Sequence, residues 1–443
     1  YFISGNFELS RQKFSLINPS IELASDLPIN TARILSVYRE TKGLTSRQIR
    51  LAIAKVIAVI DELAETLPSD VVKTQKLISR SEAIKHIHLP NDAGDLESAR
   101  RRLGFEEVFE LSLASLLNKQ ENSQEIAESI EFNQALAKEF VAKLPFKLTD
   151  AQRKSAWQIY QDLQLPNPMN RLVEGDVGSG KTVVATMAAL MVMRQGWQVA
   201  LMAPTELLAR QHGETIHNLL KPLGLESSAL VLVGSMSKSQ KDQAHKAISE
   251  GKASFIIGTH ALIQEKVDMH KLALIVIDEQ HRFGVEQRKT LMAKAGHMPH
   301  VLSMTATPIP RSLALTLYGE LDISILDEKP AGRQDTLTEL VSPNSVEQVY
   351  DKVRSELSEG RQMFTVCPLI SESGAIEARS AETVYEEFSK KHFKDYKVGL
   401  LHGKLKPEDK QSIMSDFVAR KLDVLVSTTV IEVGVDVPNA TIM

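Results

Sequence analysis

Cysteine is nearly absent: Cys367 stands alone in 443 residues. One cysteine builds no disulfide framework, and its isolation points to a reducing compartment. Surplus positive charge is missing too. The net charge is −4 and the isoelectric point about 6.4, so no global basic field announces nucleic acid. Any nucleic-acid contact must be local, along a groove. No apolar run reaches the roughly 20 residues that span a bilayer. No signal peptide is evident in the strand-like, partly polar stretch that opens with Tyr1-Phe2-Ile3. The chain opens without methionine, which suggests that it was cut or is incomplete at its start. Short-period repeats are lacking as well. What remains is ordinary globular composition, 43% hydrophobic and 24% charged, at a length that suggests about three domains.

Against that plain background one stretch carries chemistry. Gly175-Asp176-Val177-Gly178-Ser179-Gly180-Lys181-Thr182 fits the phosphate-loop pattern G-x-x-x-x-G-K-[ST]. The apolar Leu172-Val173 precedes it and an apolar run from Val183 to Met193 follows, which reads as strand, loop, helix. The glycines let several N–H groups face one anion, and a helix N-terminus adds partial positive charge. Lys181 would meet the β- and γ-phosphates, and the Thr182 hydroxyl would ligate Mg²⁺.

A second anchor is Leu274 to Ile277, an apolar strand ending in Asp278-Glu279-Gln280-His281. Asp278 is placed to hold Mg²⁺, directly or through water, and Glu279 to orient or deprotonate an attacking water. Taken with the loop, these acids imply hydrolysis at a γ-phosphate. Upstream, Phe146 offers a face to a purine and Gln152 an amide to adenine's edge, although Thr149 also reads as an ordinary N-cap. In Ser303-Met304-Thr305-Ala306-Thr307-Pro308, hydroxyls at a strand end could bond the Asp278–His281 loop. His86 and His88 lack carboxylate or cysteine partners at ligand spacing and read as helix-end histidines rather than metal ligands.

The periodicity divides the chain. Residues 1–22 read as one extended piece, the tail of a domain lying mostly upstream. Residues 23–144 read as helical, with helices expected around Ile49–Ile60, Ser81–Ile87, Asp95–Asn118 and Ser129–Leu144. Residues 145–330 alternate strands and helices, the strands being Gln198–Met202, Ala253–Gly258, Leu272–Ile277 and His300–Met304. A second series over 331–443 has strands at Thr336–Val341, Gln362–Pro368, Val398–Leu401, Asp423–Ser427 and Ala440–Met443. Asp327–Asp335 between them reads as a hinge. The fold class is α/β, with parallel sheets covered on both faces.

The order of Gln152, the phosphate loop, Ala203 to His212, Gly258-Thr259-His260, Asp278 to His281, Thr305-Ala306-Thr307 and Ser427 to Pro438 resembles that of the superfamily 2 helicase motifs. The run Asp278 to Arg288, with Ile87-His88-Leu89-Pro90 and Arg102 to Glu107, is similar to the RecG family of bacterial branched-DNA helicases. The related transcription-repair coupling translocase usually has a second Glu where Gln280 stands. The resemblance implies two RecA-like lobes, the second truncated, behind an OB-fold tail and a helical linker. It implies an ATP hydrolase and DNA helicase acting with Mg²⁺ on forks and Holliday junctions, a monomer in the bacterial cytoplasm, with no membrane role. It places Phe146, Leu148 and Gln152 at adenine, Gly175 to Thr182 at the phosphates, and Gly434 and Asp436 at the interlobe cleft. Lys181 and Glu279 become catalytic; Thr182 and Asp278 hold the metal. Gln280, His281, Thr305, Thr307 and Arg311 become coupling residues. Thr205, Arg210, Gly258, Thr259, His402, Gly403, Thr428 and Thr429 become DNA contacts, hydroxyls and main chain positioning the backbone. A translocase of the transcription-repair type, and an ATP-dependent switch without motor output, stand as alternatives.

Two departures from the resemblance bear on activity. The wedge is represented only by residues 1–22, and no Q-x-x-G-R-x-G-R segment supplies an arginine finger. Such a finger is worth about 10³–10⁵ in turnover in other NTPases. The expectation is a chain that binds ATP, hydrolyses it poorly and does not unwind DNA. Phosphate-release assays on branched DNA check this, and turnover equal to that of a full-length parent contradicts it.

Overall fold

A computed structural model describes the chain apart from residues 11–12, 24–33, 123, 270, 308–320, 329–335, 368–373, 429–436 and 438. The expected hinge therefore falls largely outside the described residues, as do Arg311, Thr429, Gly434 and Asp436. The chain divides into two compact units, one taking in Tyr1–Asn118 and the other the described residues from Lys119 to Met443.

In the first unit the expected single extended piece is instead two strands, β1 (Phe2–Ser10) and β2 (Lys13–Glu22). They pair antiparallel from Phe2↔Glu22 to Ser10↔Lys13. The reason is the backbone: a lone strand leaves one row of N–H and C=O groups unpaired, and folding back satisfies it. The helical part comprises α1 (Ser46–Val56), α2 (Ser69–Thr74), α3 (Arg80–His88) and α4 (Ala93–Asn122). Thr45 with Gln48, and Ser79 with Glu82, cap α1 and α3 reciprocally, each satisfying helix-start donors. Arg102 of α4 is fully buried and bonds Glu106 at 2.8 Å and Glu65 more closely still. Thr66 and Arg80 also reach Glu106. A buried guanidinium is tolerable only when so paired. His86 lies 3.5 Å from Asp95, and His88 bonds the Tyr38 hydroxyl.

In the second unit α5 (Gln134–Lys143) is shorter than expected. Ala127 and Ile130 spend their N–H groups on the carbonyls of Pro166 and Leu163, which holds that stretch extended until the Asn133 side chain caps the helix. There follow α6 (Asp150–Leu163), β3 (Asn170–Gly175), α7 (Lys181–Arg194), β4 (Gln198–Met202), α8 (Glu206–Leu220), β5 (Ala229–Leu232), α9 (Lys238–Ser249), β6 (Phe255–Gly258), β7 (Leu272–Asp278), α10 (Val285–Ala293), β8 (His300–Thr305) and β9 (Asp322–Leu326). The seven strands run parallel in the order β5-β6-β4-β7-β8-β3-β9. β5 and β9 were not anticipated. Helix α7 is apolar on every side and buried from Val183 to Val192, as a helix inside a core must be.

A second sheet holds β10 (Gln362–Val366), β11 (Val398–Leu401), β12 (Val424–Ser427) and β13 (Ala440–Ile442), parallel in the order β11-β12-β10-β13. Around it lie α11 (Val346–Ser358), α12 (Gly374–Glu387) and α13 (Pro407–Val418). The strand expected at Thr336–Val341 is not formed; Leu337 and Leu340 are exposed there. Alternating residues make a strand only beside a partner, and none pairs this stretch among the described residues. No described helix is long and apolar enough to cross a membrane.

His300 begins β8 fully buried. The Met169 N–H donates to its Nδ1 at 3.0 Å, and its Nε2 donates to the Glu128 carbonyl at 2.7 Å. Burial pushes its pKa below the usual 6.5. The unfolded chain then takes up the proton first as pH falls, so stability from this group is complete above about pH 6.5 and is lost below it, at up to about 1.4 kcal/mol per pH unit. His300→Leu, which orphans both partners, costs about 1–3 kcal/mol and removes that acid dependence. Urea unfolding at several pH values checks both.

Candidate nucleotide-binding site

The site lies where parallel strands end. Strand β8 separates β3 from β7, with Glu174 opposite Thr305 and Asp278 opposite Met304. The phosphate loop, the acid pair and Thr305 are therefore neighbours by register. Such carboxyl-end crevices are where open α/β sheets bind ligands.

At the loop, Gly180 has φ +89°, and a Cβ there would stand 2.3 Å from the Gln152 amide nitrogen. Left-handed backbone and this close approach both demand glycine. The Gln152 side chain donates to the Ser179 carbonyl at 2.7 Å and accepts from Thr149 N–H at 2.9 Å. In this state the amide braces the loop and completes the cap of α6. Lys181 Nζ donates to the carbonyls of Gly175 and Asp176 at 2.7 and 3.1 Å, which folds the ammonium over the loop. Val177 N–H donates to Asp176 Oδ1.

Glu279 adopts a left-handed backbone, φ +50°, and is 3% exposed. A non-glycine residue held there costs free energy that the surrounding structure must offset. Ala306 N–H and the Thr305 hydroxyl donate to its carboxylate at 3.1 and 3.4 Å. Thr305 and Thr307 hydroxyls lie 2.9 Å apart. Asp278 is met by a residue the motif reading had not assigned to the site: His212, whose Nε2 donates to Asp278 Oδ2 at 2.8 Å. The other ring nitrogen, Nδ1, lies 3.3 Å from Thr182 Oγ1. The letter was visible in the Ala203–His212 run, but only the helical phase of α8 turns it toward α7 and β7.

One cavity of about 740 Å³ takes in Phe146, Gln152, Gly180, Lys181, Thr182, His212, Asp278 and Glu279. Lys181 and Asp278 thus face the same space. The donor set, a hydroxyl and a carboxylate beside a loop of N–H groups, suits a hard cation with a phosphate. Val418 of α13 also reaches this cavity.

Residues 149–316 match the DEAD/DEAH box helicase family, and residues 345–443 match the helicase conserved C-terminal domain. The ATP-dependent DNA helicase RecG of Synechocystis sp. is 43% identical over 446 residues, covering 99% of this chain and 53% of that protein. RecG of Thermotoga maritima is 44% identical over 415 residues, covering 93% and 52%. The solved structure of RecG bound to a three-way DNA junction superposes with a TM-score of 0.77 at 39% identity, over 99% of this chain and 58% of that one. The chain is a homologue of the RecG helicases. It spans about half the length of the curated RecG proteins it matches. The two parallel sheets are RecA-like lobes, preceded by a helical region, as in RecG.

The remaining RecG-derived positions scatter in exposure. Leu148 is buried and Phe146 is 45% exposed at the cavity wall. Thr205 caps α8, accepting from Leu208 N–H. Arg210 is exposed and bonds Ser235. Gly258 packs where a Cβ would meet the Leu232 carbonyl at 2.3 Å. Thr259, His402 and Thr428 are buried, whereas Gly403 is exposed. Gln280 lies in a short 3₁₀ turn with its Oε1 buried, and the His281 side chain falls outside the described residues.

Gly180→Ala tests the loop. The added methyl displaces Gln152 and strains the backbone, so equilibrium nucleotide titration should show affinity lost by about tenfold or more, an effect above about 1.4 kcal/mol. Unchanged affinity would remove the loop from the binding site.

Proposed function

We propose that the chain is the ATP-binding motor part of a RecG-type helicase, the whole of which acts on branched DNA such as forks and Holliday junctions. The observation that carries this reading is the convergence of Lys181, Thr182, Asp278 and Glu279 on one cavity in a chain homologous to RecG. The RecG name of the relatives favours it over the transcription-repair translocase, and the buried, doubly held Glu279 favours it over a switch without turnover.

In this reading Lys181 leaves the loop carbonyls and pairs with the β/γ-phosphate oxygens, while loop N–H groups hold the remainder. Phe146 stacks on the adenine, and Gln152 either reads its edge or goes on bracing the loop. Thr182 and Asp278 hold Mg²⁺, which when bound neutralises phosphate charge. Glu279 takes a proton from the water that attacks the γ-phosphorus; the bond to the ADP oxygen breaks and phosphate leaves. Thr305, bonded to Glu279 and to Thr307, carries the change toward the segment that follows β8. Residues 23–144 serve as linker, 145–330 and 331–443 as lobes. DNA lies along Thr205, Arg210 and Gly403, with the buried Gly258, Thr259, His402 and Thr428 shaping the main chain that meets it.

Glu279→Gln should keep nucleotide affinity and lose about 10²-fold or more in turnover. Lys181→Ala should lose binding itself. Phosphate release and nucleotide titration, each with three-way-junction and linear DNA, separate the two. Equal turnover of Glu279→Gln and the parent would reject the catalytic role, and equal turnover on both DNAs would reject branch preference.

A further inference from the structure

We infer that His212 is a positioning residue for the divalent cation, orienting both of its candidate ligands with one imidazole. The inference rests on the ATPase reading above. His212 Nε2 lies 2.8 Å from Asp278 Oδ2, and Nδ1 lies 3.3 Å from Thr182 Oγ1. An ionised carboxylate only accepts, so the proton sits on Nε2. With one proton on the ring, Nδ1 is then an acceptor and the Thr182 hydroxyl donates to it. The single hydroxyl hydrogen is drawn to the ring, so the oxygen's lone pairs are left for a cation. On Asp278 the described hydrogen bonds engage Oδ2, and Oδ1 carries none of them. Each ligand is thereby turned by the same ring, in the way that partners behind metal ligands orient them.

The ring is itself well held. Its side chain is 13% exposed and that of Asp278 is 9%. Helix α8 buries Leu208, Ala209, Gly213 and Ile216 against the lobe. A Cβ at Gly213, the next residue, would stand 2.3 Å from Val231 of β5, so this helix seats closer to the sheet than a larger residue would permit. The Thr205 cap fixes the start of the same helix. Packing of its neighbours on α8 therefore sets the place from which His212 reaches Asp278 and Thr182.

The test is the binding of Mn²⁺, followed by electron paramagnetic resonance, to the full chain in the presence of a non-hydrolysable ATP analogue. His212→Ala should weaken Mn²⁺ binding by about 10–100-fold, while analogue affinity measured in EDTA stays unchanged. His212→Gln, whose amide offers one acceptor and a donor, should recover most of the loss. Thermal melting accompanies each variant. Mn²⁺ affinity of His212→Ala within about twofold of the parent overturns the inference. So does a His212→Gln variant that melts like the parent yet binds Mn²⁺ as weakly as His212→Ala. A parent chain whose analogue binding ignores Lys181→Ala overturns the ATPase reading itself, and the inference with it.

Discussion

Strand β8 decides which motifs become neighbours. Because it pairs with β3 on one side and β7 on the other, the phosphate loop and the acid pair end one strand apart. Thr305, on the strand between, is then the residue whose hydroxyl can touch Glu279. Parallel pairing fixes all three strand ends at one edge of the sheet, and their buried faces leave little freedom to slip. Remove that register and the motifs would still be present but no longer adjacent.

Two kinds of support hold the site. Some is backbone: Gly180 at positive φ closes against Gln152, and Glu279 is bent into a left-handed conformation so that its carboxylate turns back to Ala306. The rest is side-chain bracing from neighbouring helices, Gln152 from α6 and His212 from α8. Pre-organisation of this sort lets an active site act without reorganising at the moment of reaction. Leu207, also on α8, packs against the second-lobe cluster of Phe364, Met414 and Phe417. One helix thus touches Asp278 and Thr182 as well as the neighbouring lobe.

Much of this was legible in the letters. The phosphate loop and the Leu274–Glu279 strand were readable because glycine spacing and an apolar run ending in acids have few other uses. What failed did so for tertiary reasons. β5 and β9 are short and only partly buried, so their runs resemble turn-flanked coil until a sheet edge pairs them. Thr336–Val341 alternates like a strand but has no partner among the described residues. Ser129–Phe132 looks helical, yet the carbonyl of Leu163 takes the N–H of Ile130. The letters around His212 give it no role, because which neighbour a helical residue meets depends on the rotation of α8 against α7 and β7.

In the proposed motor one nucleotide is held with its terminal phosphate between Lys181 and the Asp278–Glu279 pair. A structure of the chain with Mg²⁺ and a non-hydrolysable ATP analogue tests it most directly. The γ-phosphate should lie within hydrogen-bond reach of Lys181, with the cation on Thr182 and Asp278 and His212 still bonded to that acid. A nucleotide seated outside this cavity, or a γ-phosphate remote from Glu279, would contradict it.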